Sequence, residues 1–236
     1  MNILFAVLYL VVTFTITLLA YKFFGKIGLY IWICISIIIS NIQSVKLIDI
    51  FGLTTVLGNV AYSNIYLATD ILNEKYGSKS ANKSVLFGFC SMVLFSALML
   101  LALLFIPNVY DTSQESLHNI FMIVPRITAA SLAAYLASQF LDVYIFSKLK
   151  QKYNKLWLSN NIGTIVSQIV DTIIFVTIAY IGTMPIKELF ITMGTIYALK
   201  VIIALADTGF IYISKKITPK EIENIVETKK EEIEDI

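Results

Sequence analysis

The stretches SQFLDVYIF at 138–146 and SQIVDTIIF at 167–175 carry one frame, Ser-Gln-x-x-Asp-x-x-Ile-Phe, 29 residues apart. Each sits in an otherwise apolar run, about 124–146 and about 160–182. Roughly 20 mostly apolar residues cross the hydrocarbon core of a bilayer as a helix, so both runs read as membrane spans. Positions three and four apart share a helix face. Ser138, Gln139 and Asp142 therefore form one polar stripe, and Ser167, Gln168 and Asp171 another. Successive spans run in opposite directions, which makes the stripes antiparallel and lets Gln139 and Gln168 stand level. Small residues at Ala130, Ala133, Ala134 and Ala137 allow close helix approach beside the first stripe. Such a stripe should face protein or a cavity, not lipid.

Seven apolar segments can be drawn along the chain: about 3–21, 28–45, 52–73, 84–106, 124–146, 160–182 and 187–214. The 236 residues are 58% hydrophobic and 14% charged, against about 45–50% and 25% in soluble domains. The expected fold is an all-α polytopic integral membrane helix bundle of six to seven transmembrane helices. Residues 1–214 would form a single transmembrane domain, and 215–236 a charged cytosolic tail. The third segment carries Gly52, Thr54, Thr55, Gly58, Asn59, Ser63 and Asn64, which suits a broken or re-entrant first half lining a cavity. The first segment lacks a basic n-region and a small-x-small cleavage site, and reads as a retained span rather than a signal peptide.

Fourteen of the eighteen basic residues fall on one side of a seven-span arrangement. They include Lys22 and Lys26, Lys75 to Lys83, Lys148 to Lys155, and the lysines from Lys215 onward. The positive-inside rule then puts the C-terminus in the cytoplasm and the N-terminus outside, in a plasma membrane. Trp157 fits an interfacial anchor. Thr218-Pro219-Lys220-Glu221 has capping-box spacing and opens a short amphipathic helix in the tail.

Several function classes drop out. A net charge of +2, spread over short loops, gives no footprint for nucleic acid. No Gly-x-x-x-x-Gly-Lys phosphate loop occurs, so the chain does not itself hydrolyse ATP by that device. His118 is the only histidine. Cys34 and Cys90, in no paired spacing, read as buried inert thiols rather than a disulfide or zinc site. No metal or cofactor is expected.

Seven ionisable residues lie in or beside the spans: Asp70, Glu74, Arg126, Asp142, Asp171, Lys200 and Asp207. They sum to five negative and two positive charges, so pairing among themselves cannot neutralise all of them. Such groups cost several kcal/mol in a bilayer and usually face a bundle interior. Asp70, Glu74 and Asp142 lie close to cytoplasmic ends, where the interface would lower that cost; Arg126 lies close to the outer end. Asp171 and Lys200 fall near mid-helix, the natural candidates for a midplane ion pair. Asn160, Asn161, Thr164, Ser167, Gln168 and Thr172 make the sixth segment dense in uncharged polar groups. A carboxylate offers two acceptors and glutamine offers both donors and an acceptor. The set suits a flat polar heterocycle with adjacent N–H donors, stacked on Tyr66, Phe146 or Phe175; sugars, amino acids and ions would use the same groups.

IYLATDILNEKYG at 65–77, RITAASLAAYLASQFLDVYIF at 126–146, WLSNNIGTIVSQIVDTIIF at 157–175 and ALKVIIAL at 198–205 together resemble the queuosine precursor transporter family. That family was earlier described as a vitamin-uptake-like group. The resemblance covers roughly 30–215, and because members are commonly drawn with six spans, the segment 1–21 is an extra span outside it. It implies import of 7-deazaguanine compounds for tRNA queuosine modification: queuine or its 7-cyano and 7-aminomethyl precursors. The family's motif positions fall on Thr69 and Asp70, Arg126, Ser138, Gln139 and Asp142, Gln168, Asp171 and Thr172, and Lys200. The expected substrate groups are thus Asp171, Gln168, Gln139, Lys200, Asp142, Asp70, Ser138 and Thr172. Arg126, Glu74 and Asp207 are expected in gating or ion pairing.

Two alternatives stand beside this reading. One is a substrate-capture subunit that borrows energy from a separate ATPase module. The other is an intramembrane aspartyl enzyme using Asp142 and Asp171, although the Tyr-Asp and Gly-x-Gly-Asp motifs of helical aspartyl proteases do not surround them. The small-residue face of the fifth segment is also compatible with a homo-oligomer.

Overall fold

A computed structural model describes residues 2–50, 53–121, 125–182 and 185–220, without the side chains of 47, 53, 54 and 125–128. Its first helix, α1 (Asn2–Gln43), has 42 residues. Straight, it would run about 63 Å, twice the hydrocarbon thickness. Instead it folds back at Gly25, where φ is 55° and ψ −133°, a backbone conformation essentially reserved for glycine. The two arms, 2–24 and 26–43, run antiparallel. Trp32 Nε1 donates to Thr17 Oγ1 at 2.8 Å near the bend, and Tyr9 OH donates to Gln43 Oε1 at 2.9 Å near the open ends. The first two expected spans are these two arms.

The chain next forms a small antiparallel hairpin, β1 (Leu47–Ile50) and β2 (Leu53–Val56), with Leu47 opposite Val56 and Ile50 opposite Leu53. The expectation of a broken or re-entrant helix at the start of the third segment is corrected here. Ile48, Ile50, Thr55 and Val56 are β-branched residues that favour the pleated form, and pairing the strands satisfies backbone groups at the bundle's edge. Asn2 Nδ2 donates to the Asp49 carbonyl at 3.1 Å, so the N-terminus stands at the hairpin end.

Helix α2 (Leu57–Tyr76) is the centre of the bundle, packed against α1, α3, α5 and α7. From Gly58 to Asn73 every residue except Asn59 and Tyr62 is buried. Five helices are long and apolar enough to cross a membrane: α1, α3 (Ser78–Ala102), α5 (Pro125–Tyr153), α6 (Leu156–Tyr180) and α7 (Ile186–Lys215). α2 falls below that hydropathy for a physical reason. It meets protein on all sides, so its Asn, Ser, Thr and Asp residues never face lipid. With α1 counted as two arms, the protein has seven crossing segments; α4 (Gln114–Phe121) is a short helix between α3 and α5.

Apolar side chains point outward along the crossing segments, among them Leu94, Leu98, Phe190 and Ile202. The lysine-rich ends gather at one face. Lys26 Nζ lies 5.6 Å from the Tyr76 ring, Lys75 Nζ 5.9 Å from the Tyr21 ring, and Lys220 Nζ 5.1 Å from the Phe23 ring. Both cysteines are free, but Cys90 is exposed on the outer, lipid-facing side of α3, which corrects the expectation of a buried thiol. The tail helix expected after Thr218 falls mostly beyond Lys220, outside the described residues.

Candidate functional site

The two Ser-Gln-x-x-Asp frames meet across the α5–α6 contact, the most extensive helix pairing in the protein. Ser138 Oγ of α5 donates to Asp171 Oδ1 of α6 at 3.0 Å. Ser167 Oγ of α6 donates to Asp142 Oδ1 of α5 at 3.1 Å. Each frame's serine serves the other frame's aspartate, as antiparallel stripes in matched register permit. Close approach is helped by Gly163, where a Cβ would stand 3.2 Å from Asp142 Oδ1.

Asp171 has a second partner. Lys200 of α7 forms an ion pair with its Oδ2, and both side chains are only 6% exposed. Tyr66 OH of α2 donates to Ser138 Oγ at 3.0 Å, so α2, α5, α6 and α7 all converge on this carboxylate. Further along α7, Asn160 Nδ2 donates to Asp207 Oδ1 at 2.7 Å, and Asn161 exchanges hydrogen bonds with Thr208 at 2.9 and 3.1 Å.

Two clefts adjoin the ion pair. The outer one descends from the hairpin end past Ser40, Asn41 and Ser44 of α1 to Asp171, Phe175 and Lys200. The inner one holds Tyr66, Thr164, Gln168 and Asp207. Asn59, Tyr62 and Lys200 line both. Those first two are the same positions of α2 left incompletely buried by the helix packing. The ion pair thus stands where the clefts meet. Free volume in the outer cleft is about 40 Å³, well short of the roughly 300–1,000 Å³ of ligand pockets, so this is a contracted state of the site.

The surrounding polar groups are unusually under-used. Gln139 is fully buried with neither amide atom in hydrogen-bond geometry, and Gln168 Oε1 and the Thr164, Thr172 and Tyr62 hydroxyls also lack partners. Native interiors leave few such groups unmet. Their concentration around one ion pair marks a place built to engage a polar ligand.

Of the residues singled out from sequence, Asp171, Lys200 and Ser138 are brought together directly. Gln168 and Tyr66 line the inner cleft and Phe175 the outer one. Gln139 turns toward Tyr62 and does not meet Gln168. Asp70 and Asp142 line neither cleft; both are fully buried inside the protein, which corrects their expected place near the interface. Phe146 is packed in the hydrophobic core rather than available for stacking. Glu74 pairs with Lys150 at 2.9 Å and Lys215 at 3.4 Å, closing the lysine-rich end. Asp207 meets the Asn160 amide. The Arg126 side chain lies outside the described residues. Sequence reading missed Ser40, Asn41, Ser44, Asn59 and Tyr62. Ser40, Asn41 and Ser44 share one helix face in an apolar arm, a signal that was present.

Residues 56–214 match the family described as "Putative vitamin uptake transporter". The chain is 40% identical over 220 residues to the "Probable queuosine precursor transporter" of Bacillus subtilis, covering 92% of this chain and 96% of that protein. It is 29% identical over 133 residues to the "Queuosine precursor transporter" of Escherichia coli, covering 56% and 58% of the two chains. A "Probable queuosine precursor transporter" of Haemophilus influenzae is 30% identical over 133 residues, 55% of this chain and 54% of that one. No solved structure matches.

Proposed function

The chain belongs to this vitamin-uptake-transporter family, and from that premise we propose that it imports a 7-deazaguanine precursor of queuosine across the plasma membrane. The observation that carries the reading is the buried Asp171–Lys200 pair at the junction of two clefts. A guanine-like edge presents a ring N–H beside an exocyclic amine, a bidentate donor for one carboxylate. Such a ligand competes with Lys200 for Asp171. Gln168 and Gln139 supply the remaining donors and acceptors, Ser138 holds the carboxylate in place, and Thr172 stands one position beyond it. Phe175 and Tyr62 offer ring faces.

The contracted outer cleft and the Glu74 closure fit an alternating-access cycle in which ligand entry opens the hairpin end first. Lysine clustering supports an N-terminus outside and a C-terminus inside. A transporter of this kind needs no catalytic residue. Relatives named as transporters over most of the chain favour a self-contained carrier over the capture-subunit reading.

Saturable binding of labelled queuine to the purified protein tests the proposal, with competition by the 7-cyano and 7-aminomethyl precursors. Asp171→Asn and Gln168→Ala are expected to weaken binding without preventing membrane insertion. Absence of saturable binding by a folded protein overturns the reading. Uptake by cells that lack vitamin-type ATPase modules separates the carrier from a capture subunit.

A further inference from the structure

We propose that Asp70 and Asp142 form a proton-holding carboxyl pair, joined by a chain of hydroxyls to the Asp171–Lys200 pair, and that substrate movement is thereby coupled to protons. This rests on the transport reading above. Asp70 of α2 and Asp142 of α5 are each 0% exposed, and their carboxyl groups lie within hydrogen-bonding reach of one another. Ser167 donates to Asp142 Oδ1, but Asp142 Oδ2 and both Asp70 oxygens receive no donor from the protein. Two carboxylates sharing a buried site cannot both ionise, and hold a proton between them. Asp142, with its hydroxyl donor, is the better anion. Asp70 therefore carries the proton and gives it as a hydrogen bond to the unmet Asp142 oxygen.

The surroundings do not supply a cation instead. From α7 the pair faces Asp207, bonded to Asn160; from α2 it faces Tyr66 and Glu74, the latter closed by Lys150 and Lys215. α6 brings Asp171, closed by Lys200, and Thr164, whose hydroxyl is 1% exposed, unpartnered and beside Asp142. α1 brings Tyr21 against Tyr76 and Lys75, and α3 brings apolar Ala81 and Val85 to the same core. Among the described residues, the one lysine buried with these acids is already engaged by Asp171.

The pair is also connected to the ligand site. Asp142 bonds Ser167 at 3.1 Å, Ser167 lies within reach of Tyr66 OH, Tyr66 OH bonds Ser138 at 3.0 Å, and Ser138 bonds Asp171 at 3.0 Å. One proton arriving at Asp171 from the outer cleft neutralises that carboxylate and frees the Lys200 ammonium. Ser138, Tyr66 and Ser167 each accept a proton and pass on their own, Asp142 receives the last, and Asp171 is again an anion. The pair then holds two protons instead of one. Asp207, which faces the pair and lines the inner cleft, is the way out.

The test uses the full chain in lipid. Infrared difference spectra of the unaltered protein against Asp70→Asn at neutral pH should show one protonated-carboxyl stretch lost. In proteoliposomes, an acid-outside gradient of one pH unit should drive accumulation of labelled queuine up to about tenfold for one proton per substrate. Asp142→Asn should keep counterflow exchange of queuine and lose accumulation, because an amide cannot take the proton. The proposal is overturned by a spectrum without that band, by accumulation that ignores the pH gradient, or by accumulation that follows a sodium gradient. If queuine neither binds nor moves, the transport reading fails, and the infrared difference still decides whether the carboxyl pair holds a proton.

Discussion

Removing either member of the Asp171–Lys200 pair strands the other as an unpaired charge in the protein interior. A loss of that kind typically costs about 3–5 kcal/mol, and both side chains are sealed well enough for it to apply. Lys200→Met and Asp171→Asn are each expected to lower the thermal midpoint in detergent clearly. The double variant should recover most of that loss while still failing to bind queuine, since the carboxylate is gone. Recovery of stability and binding together would refute the assignment of Asp171 as a ligand group. The pair itself was legible in the sequence because two opposite charges fell at mid-helix depth, where few alternatives exist. The cross-bonding of Ser138 to Asp171 and Ser167 to Asp142 was not legible. Periodicity gives the face of a helix, but only packing fixes which residues of two faces meet. Asp70 and Asp142 were misplaced for a related reason. Distance from a segment's end measures depth in the membrane, not distance from solvent, and a central helix is dry at any depth.

Among the elements, α1 and α2 depend on two glycines. Gly25 occupies a left-handed bend, and Gly25→Ala should cost about 1–3 kcal/mol in backbone strain, seen as a lowered unfolding midpoint. At Gly58 a Cβ would fall 2.0 Å from Ser44 Oγ and 2.4 Å from the Ser40 carbonyl. The carbonyl belongs to a helix backbone and cannot step aside alone. Gly58→Ala is therefore expected to push the 26–43 arm off α2, at about 1–3 kcal/mol for overpacking. Because Ser40, Asn41 and Asn59 line the outer cleft beside it, queuine affinity should fall with stability; unchanged affinity would show that the arm does not shape the site. The hairpin escaped sequence reading because its ten-odd residues lie in an apolar stretch of Ile, Leu and Val that also suits a helix. The helices on either side were plain from length and hydropathy, whereas α2 was visible only as a run with too many polar residues for lipid.

For the molecule as a whole, orientation and gating are open to direct measurement. Single cysteines placed at Val109 and at Lys79, in a background free of Cys34 and Cys90, should react with an impermeant thiol reagent from outside and only after permeabilisation, respectively. The opposite pattern would invert the proposed topology. Glu74→Gln removes the charge that draws Lys150 and Lys215 together at the lysine-rich end. Reactivity of a cysteine at Thr164 toward a reagent supplied from the cytoplasmic side should then rise, as the equilibrium shifts toward an inner-open form. Unaltered reactivity would mean that the ion-paired cluster does not hold that end shut.

The reciprocal serine–aspartate bonds have a mechanical consequence. They act as a crossed brace between α5 and α6: sliding one helix along the other by a single turn, about 5.4 Å, breaks both struts at once. That pair is thus a stiff post, and the relative motion that exposes the site to each side in turn falls to α2 and α7, which lean on it through single hydrogen bonds and one breakable ion pair.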